Sequence, residues 1–260
     1  MGVPLAWSTP CASYSLVHHD NDALSFEEIR DAVDFSFQAW TGTECDGRPV
    51  ALETAQTEAL SECPEPAHNQ SAGNVNTIAF VANWEAEGFE PEALALTKVW
   101  HDSTTGNILG ADMLLNQDMG EYADCGNQPC PGKVDIENVV THEAGHFLGL
   151  GHSEEADATM YFTADRGEVK KRGLHADDIA GLCALYGPQD EDPVCKPHDF
   201  VPPGGFEPTC DPAPETGCSC RLLGSPTTRR TGPWVVLLLP ITLLWRRRAA
   251  RKRQHLSTSE

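Results

Sequence analysis

The sequence predicts an α+β domain, and three observations carry that expectation. Apolar runs of strand length recur at 14–18, 77–84, 93–101 and 107–116. Three segments read as helices with recognisable starts and stops, near 25–40, 135–149 and 177–186. The second of these helices carries histidines four residues apart, followed by a glycine turn and a further histidine.

Taken in order, 14–18 is the first expected strand. Ser25-Phe26-Glu27-Glu28 is a capping box, with Ser25 at the N-cap and Glu28 at N3, opening a helix to about Trp40. Its apolar residues Ile29, Val33, Phe35, Phe37 and Trp40 predict a broad buried face. Residues 41–74 are rich in Thr, Glu, Cys and Pro and read as a loop excursion. Strands at 77–84, 93–101 and 107–116 follow, the last two joined through Ser103-Thr104-Thr105-Gly106-Asn107. Asp112 reads as a satisfied sheet carboxylate rather than a metal ligand. An acidic Gly/Cys-rich loop covers 117–134, and Asp135 caps the central helix. The last helix, 177–186, is stopped by Gly187-Pro188.

The chemistry is concentrated in His142-Glu143-Ala144-Gly145-His146-Phe147-Leu148-Gly149-Leu150-Gly151-His152. Residues four apart on a helix lie about 40° apart in azimuth, so His142 and His146 share one face. Two imidazoles so placed grip one Zn²⁺. A helix carried on unbroken would aim His152 away, whereas Gly149 at positive φ turns the chain back and delivers a third ligand. Three protein ligands leave a position for water, which marks a catalytic zinc. Glu143 is set to act as general base on that water. Chance alone would produce the full pattern in about 1 of 10,000 such chains.

These residues resemble the extended zinc motif of the metzincin metallopeptidases, and Ser153 after the third histidine is typical of the matrixin branch. Met160, in Ala158-Thr159-Met160-Tyr161-Phe162, matches the family's Met-turn beneath the metal. Leu174-His175-Ala176-Asp177-Asp178-Ile179 resembles a further matrixin segment, with His175 where the family usually has Ser; a weaker helix cap is expected there. The likeness covers roughly residues 5–188. It implies a zincin-like fold: a twisted, mostly parallel sheet with an antiparallel edge strand, a long central active-site helix and a C-terminal helix. It also implies a zinc-dependent endopeptidase acting on protein or peptide substrates. An exposed edge strand would pair with extended substrate, and 93–100 is the candidate, with Ala93, Leu94, Ala95 and Leu96 as the substrate-edge residues. Two residues past the Met-turn methionine, where some metzincins place a zinc-binding tyrosine, stands Phe162, so no tyrosine ligand is assigned. Ca²⁺ is common in the family and the acidic loops offer carboxylates, but no EF-hand spacing designates ligands.

Charge and cysteines bound the setting. Residues 221–260 hold nine of the 18 Lys and Arg and one of the 39 Asp and Glu, leaving the first 220 residues at a formal −29. So acidic a domain argues against nucleic acid as a partner. Ten cysteines, none in the zinc motif, predict disulfides in an oxidising compartment. Cys125 with Cys130, and Cys45 with Cys63, could each clip a loop, although connectivity does not follow from sequence. Cys11 lacks the context of a latency cysteine and reads as a disulfide partner.

Three regions are expected: a metallopeptidase domain at 1–188, a Pro-rich acidic spacer at 189–232, and a hydrophobic segment with an Arg-rich tail at 233–260. The tail resembles the C-terminal sorting tail of myxobacterial surface proteins: a Cys motif, twelve apolar residues broken by Pro240, then an arginine cluster. It implies a membrane or sorting machinery as partner, with the domain exported to the cell surface or beyond and anchored at least transiently. Residues 1–10 hold no export signal, so the native start is expected upstream. A monomer is expected. Two other classes stand beside the peptidase, a non-catalytic zinc-binding adhesin and a hydrolase of non-peptide substrates. An intact Glu143 argues against the adhesin.

Overall fold

A computed structural model describes residues 2–19, 23–57, 61, 66–69, 73–190, 195–202 and 205. Six strands form the main sheet: β1 (Ala6–Trp7), β2 (Cys11–Leu16), β3 (Glu53–Gln56), β4 (Thr77–Val81), β5 (Ala95–His101) and β6 (Asn107–Asn116). Three helices accompany it: α1 (Phe26–Thr41), α2 (Ile136–Phe147) and α3 (Ala176–Tyr186). The α+β, mostly parallel architecture matches the expectation.

β6 is the hub of the sheet. It runs parallel to β1 and β4 and antiparallel to β5, while β2 joins β4 to β3, all parallel. Its sequence, Asn-Ile-Leu-Gly-Ala-Asp-Met-Leu-Leu-Asn, is buried over its last seven residues, as a strand covered on both faces must be. Alternation sends Met113 and Leu115 into the main core and Leu114 into a second cluster with Ala79 and Trp84. β5 has a different character: none of its residues is buried, Leu96, Lys98 and His101 are exposed, and among the described residues it pairs only with β6. The sheet therefore ends there, with one row of β5 backbone groups left over.

α1 and α2 pack against each other and share the main core with the sheet. The indole Nε1–H of fully buried Trp40 donates to Thr141 O at 2.9 Å, and the Thr141 and Ser36 hydroxyls meet at 3.1 Å. These bonds satisfy polar groups that burial would otherwise penalise. The Ser25 capping box forms as expected. Phe35 corrects the expected face: it is 56% exposed, because two residues on a helix are about 200° apart and Phe35 therefore opposes both Val33 and Phe37.

Further corrections share one cause, the absence of an apolar signal. The first long strand is Cys11–Leu16 rather than 14–18. Within the expected loop 41–74 lie a small hairpin, Glu44–Cys45 with Arg48–Pro49, and the strand Glu53–Gln56. The hairpin turns at Asp46-Gly47, both at positive φ. Glu53–Gln56 is polar and only half buried at the sheet's other edge, so no hydrophobic pattern marks it.

Among the described residues the disulfides are Cys11–Cys195, Cys45–Cys183 and Cys125–Cys130. Cys45 is therefore bonded to α3 and not to Cys63, which lies outside the described residues. Cys195 belongs to the expected spacer, yet it is tied to β2, and Ser13 Oγ donates to Phe200 O at 2.6 Å. The chain beyond Pro188 thus returns to the sheet at 195–200. The sorting-tail reading, including the hydrophobic segment and arginine cluster, falls outside the described residues. Among those described, no helix is long and apolar enough to cross a membrane.

Candidate metal centre

α2 presents the site. Asp135 caps it by accepting from Asn138 N at 3.0 Å, and Val139, Val140, Ala144 and Phe147 bury its inner side. The helix ends at Phe147, two residues before the expected Gly149; the turn that follows takes the carbonyls of Ala144, Gly145 and His146, and the next two are met from elsewhere. Trp7 Nε1–H donates to Phe147 O at 3.0 Å and the Tyr186 hydroxyl to Leu148 O at 2.8 Å. Gly149 then adopts φ +97, and a Cβ there would lie 2.2 Å from Leu5 O. Both facts require glycine.

The turn has the anticipated result. His142, His146 and His152 converge, with ring centroids 4.8–5.3 Å apart and the nitrogens available to a metal within 4.8 Å of one another. His146 Nε2 and His152 Nε2 stand 3.1 Å apart. A tetrahedral zinc with bonds near 2.05 Å needs roughly 3.3 Å between donors. Two imidazoles are aimed by their other nitrogen: His142 Nδ1 lies 2.6 Å from Thr159 O and His146 Nδ1 lies 2.8 Å from Leu150 O. Each Nδ1–H so donated leaves Nε2 as the lone-pair nitrogen. Burial holds the pKa of His142 down to about 3 and lowers those of His146 and His152, so all three are neutral at neutral pH. Three neutral nitrogen donors in this arrangement fit a zinc ion. Among the described residues no other group of three or more His, Cys, Asp or Glu side chains comes together in this way.

Glu143 is 6% exposed and its pKa is pushed up to about 7 by burial, opposed by a hydrogen bond from Thr97. Thr97 Oγ1, on β5, donates to Glu143 Oε2 at 2.7 Å. Met160 is 1% exposed beneath α2, where a Cβ on Gly145 would meet its Sδ at 2.2 Å. Asp178 fixes the turn that holds Met160: Oδ1 accepts from Met160 N at 2.9 Å, and Oδ2 accepts from Thr159 N at 2.7 Å and His175 N at 2.8 Å. His175 corrects the expected weak cap, since its Nδ1 accepts from Asp177 N at 3.2 Å. Asp112 accepts from Thr77 N at 2.7 Å and Ala67 N at 2.9 Å, a satisfied buried carboxylate as expected.

A cleft of about 530 Å³ opens over the histidines, bounded on one side by Ala93, Leu94, Ala95, Leu96 and Thr97. Of the edge residues expected there, Ala95 and Leu96 lie in β5, but Ala93 and Leu94 precede it. Their carbonyls are already used, by Asn116 Nδ2 and N and by the Tyr122 hydroxyl. Thr97 falls inside the expected edge strand, but nothing in the sequence marks its bond to Glu143 or the place of Lys171 beside His142, because these partners are 46 and 29 residues apart.

Residues 67–187 match the family model described as Matrixin. The chain is 45% identical over 183 residues to Metalloendoproteinase 1-MMP of Arabidopsis thaliana, an alignment covering 70% of this chain and 44% of the relative. It is 38% identical over 91 residues to Metalloendoproteinase 1 of Glycine max, covering 32% and 30% of the two chains. With human Matrilysin it shares 49% identity over 49 residues, 19% of this chain and 18% of the relative. The chain thus spans less than half the length of these relatives. The histidine cluster and the buried Met160 beneath it both lie within residues 67–187, the stretch that is similar to a matrixin domain.

Proposed function

We propose that the protein is a zinc-dependent metalloendopeptidase that cuts peptide bonds of proteins outside the cytoplasm. The observation that carries this reading is a buried carboxylate, Glu143, placed beside three converging imidazoles in a cleft bordered by an unpaired sheet edge. His142, His146 and His152 are the residues that would hold the ion. When bound, zinc supplies Lewis acidity, acidifying water and polarising a carbonyl.

The chain's own groups do the rest. Glu143 takes a proton from water as the hydroxyl adds to the peptide carbon, then delivers it to the amide nitrogen as the C–N bond breaks. Thr97 holds Oε2 of that carboxylate in place. The free edge of β5, from Ala95 onward, offers backbone groups to an extended substrate. Met160 supports α2 from below and takes no part in the chemistry. Three disulfides among the described residues support an oxidising, exported location, and the hydrophobic, arginine-ended tail is the proposed means of anchoring to membrane or sorting machinery.

The test is cleavage of peptides by the purified, oxidised protein. Activity is expected to vanish with a chelator and return with zinc; chelator-insensitive cleavage, or none from zinc-loaded protein, refutes the reading. A second prediction concerns Thr97. Thr97→Val removes one hydrogen bond to a carboxylate, worth about 1.5 kcal/mol, and is expected to lower kcat about tenfold with KM little changed. Steady-state kinetics checks this, with zinc content as control.

A further inference from the structure

The lining of the cleft includes a cation. Beside His142 the cleft is lined by Asn138, Val139, Thr163, Ala164 and Lys171. Lys171 is 2% exposed, an unusual place for an ammonium. Its Nζ donates to Tyr161 O and lies 3.4 Å from His142 Nδ1, whose hydrogen is already given to Thr159 O. No carboxylate among the described residues comes within 4.0 Å of it, although Lys170, its neighbour, reaches Glu168 at 3.8 Å.

The position of this ammonium is set by the backbone. Lys171 N donates to Asn138 Oδ1 on α2 at 2.8 Å. The next residue, Arg172, bonds Asp135 Oδ2 at 2.7 Å, Glu137 Oε2 at 2.6 Å and Asp124 Oδ1 at 2.6 Å. The Lys171 stem therefore leaves a clamped segment, and the bond from Nζ to Tyr161 O holds its end at the cleft. Glu168, Asp178 and Glu143 act on this charge only from beyond 4.0 Å, its direct partner is a backbone carbonyl, and a carboxylate brought alongside it forms the pairing that burial makes strong.

Resting on the peptidase reading, we propose that Lys171 determines specificity: the cleft accepts, next to the scissile bond, a substrate side chain ending in a carboxylate, glutamate or aspartate, in preference to an aliphatic one. The ammonium fixes the carboxylate, while Val139 and Ala164 pack on the methylenes before it. A leucine in the same place would leave the cation unpaired and displace water from it, the asymmetry by which polar sites reject apolar analogues.

The experiment uses the zinc-loaded protein and a peptide series carrying Glu, Asp, Gln or Leu at each position flanking the cleaved bond. At one flanking position the Glu peptide is expected to exceed the Leu peptide in kcat/KM by about tenfold or more. Lys171→Met should abolish or reverse that ratio, and Lys171→Arg, which keeps the charge, should retain the preference. Affinity of the same peptides for the zinc-loaded Glu143→Ala protein, by calorimetry, should follow the same order without turnover. Equal rates for Glu and Leu at every position, or a ratio unchanged in Lys171→Met with its fold intact by thermal melting, overturn the proposal. So does a Glu preference that emerges only in Glu168→Gln, since Glu168 would then be the partner of Lys171. Failure of the peptidase reading is distinct: no peptide is cut, yet the calorimetric order still reports on Lys171.

Discussion

Glu143→Gln is expected to bind zinc as the parent does and to cut peptides about 10²–10⁴-fold more slowly. The substitution keeps the volume and leaves an acceptor for Thr97 Oγ1, which lies 2.7 Å from the carboxylate. It removes only the capacity to take up a proton and hand it on. Because Glu143 is not one of the three convergent donors, metal content should be unaffected. Kinetics on a peptide substrate, with metal analysis of the same sample, checks both halves. Wild-type rates in Glu143→Gln would show that the proton passes elsewhere.

Gly149→Ala is expected to do comparable damage by another route, through backbone geometry rather than chemistry. Its φ of +97 disfavours any side chain, and the added methyl would sit 2.2 Å from the Leu5 carbonyl oxygen and 2.8 Å from its carbon. Backbone on both sides leaves nothing flexible to yield. The strain is of the order of 3 kcal/mol or more. Relief requires moving either the Leu5 strand entry or the 149–152 turn. The turn carries His152 and the Leu150 carbonyl that orients His146. The variant should therefore lose stability in urea and lose zinc affinity together. A normal unfolding midpoint with normal zinc binding would contradict this account of the turn.

The sequence made much of this site legible because its parts are local. His142, Glu143 and His146 share a helix, Gly149 and His152 follow within six residues, and Met160 lies eight further on. Helical spacing and the conformational freedom of glycine were enough to bring them together. What stayed hidden depends on long-range pairing. Thr97 reaches Glu143 across 46 residues, and the Cys45–Cys183 bridge spans 138. Neither distance leaves a periodic trace. The polar strand Glu53–Gln56 was lost for lack of apolar alternation, although Asp46-Gly47 was a readable hairpin turn. Phe35 shows the opposite error, an apolar residue assigned to the core despite facing away from it.

The central claim is that three imidazoles hold one zinc ion. X-ray absorption on the oxidised, zinc-loaded protein tests it most directly, read together with metal analysis. One zinc per chain, with three nitrogen donors near 2.0–2.1 Å and one donor fewer in His152→Ala, is the result expected. Protein that is folded yet takes up no zinc, or a zinc shell unaltered by removing His152, would contradict it.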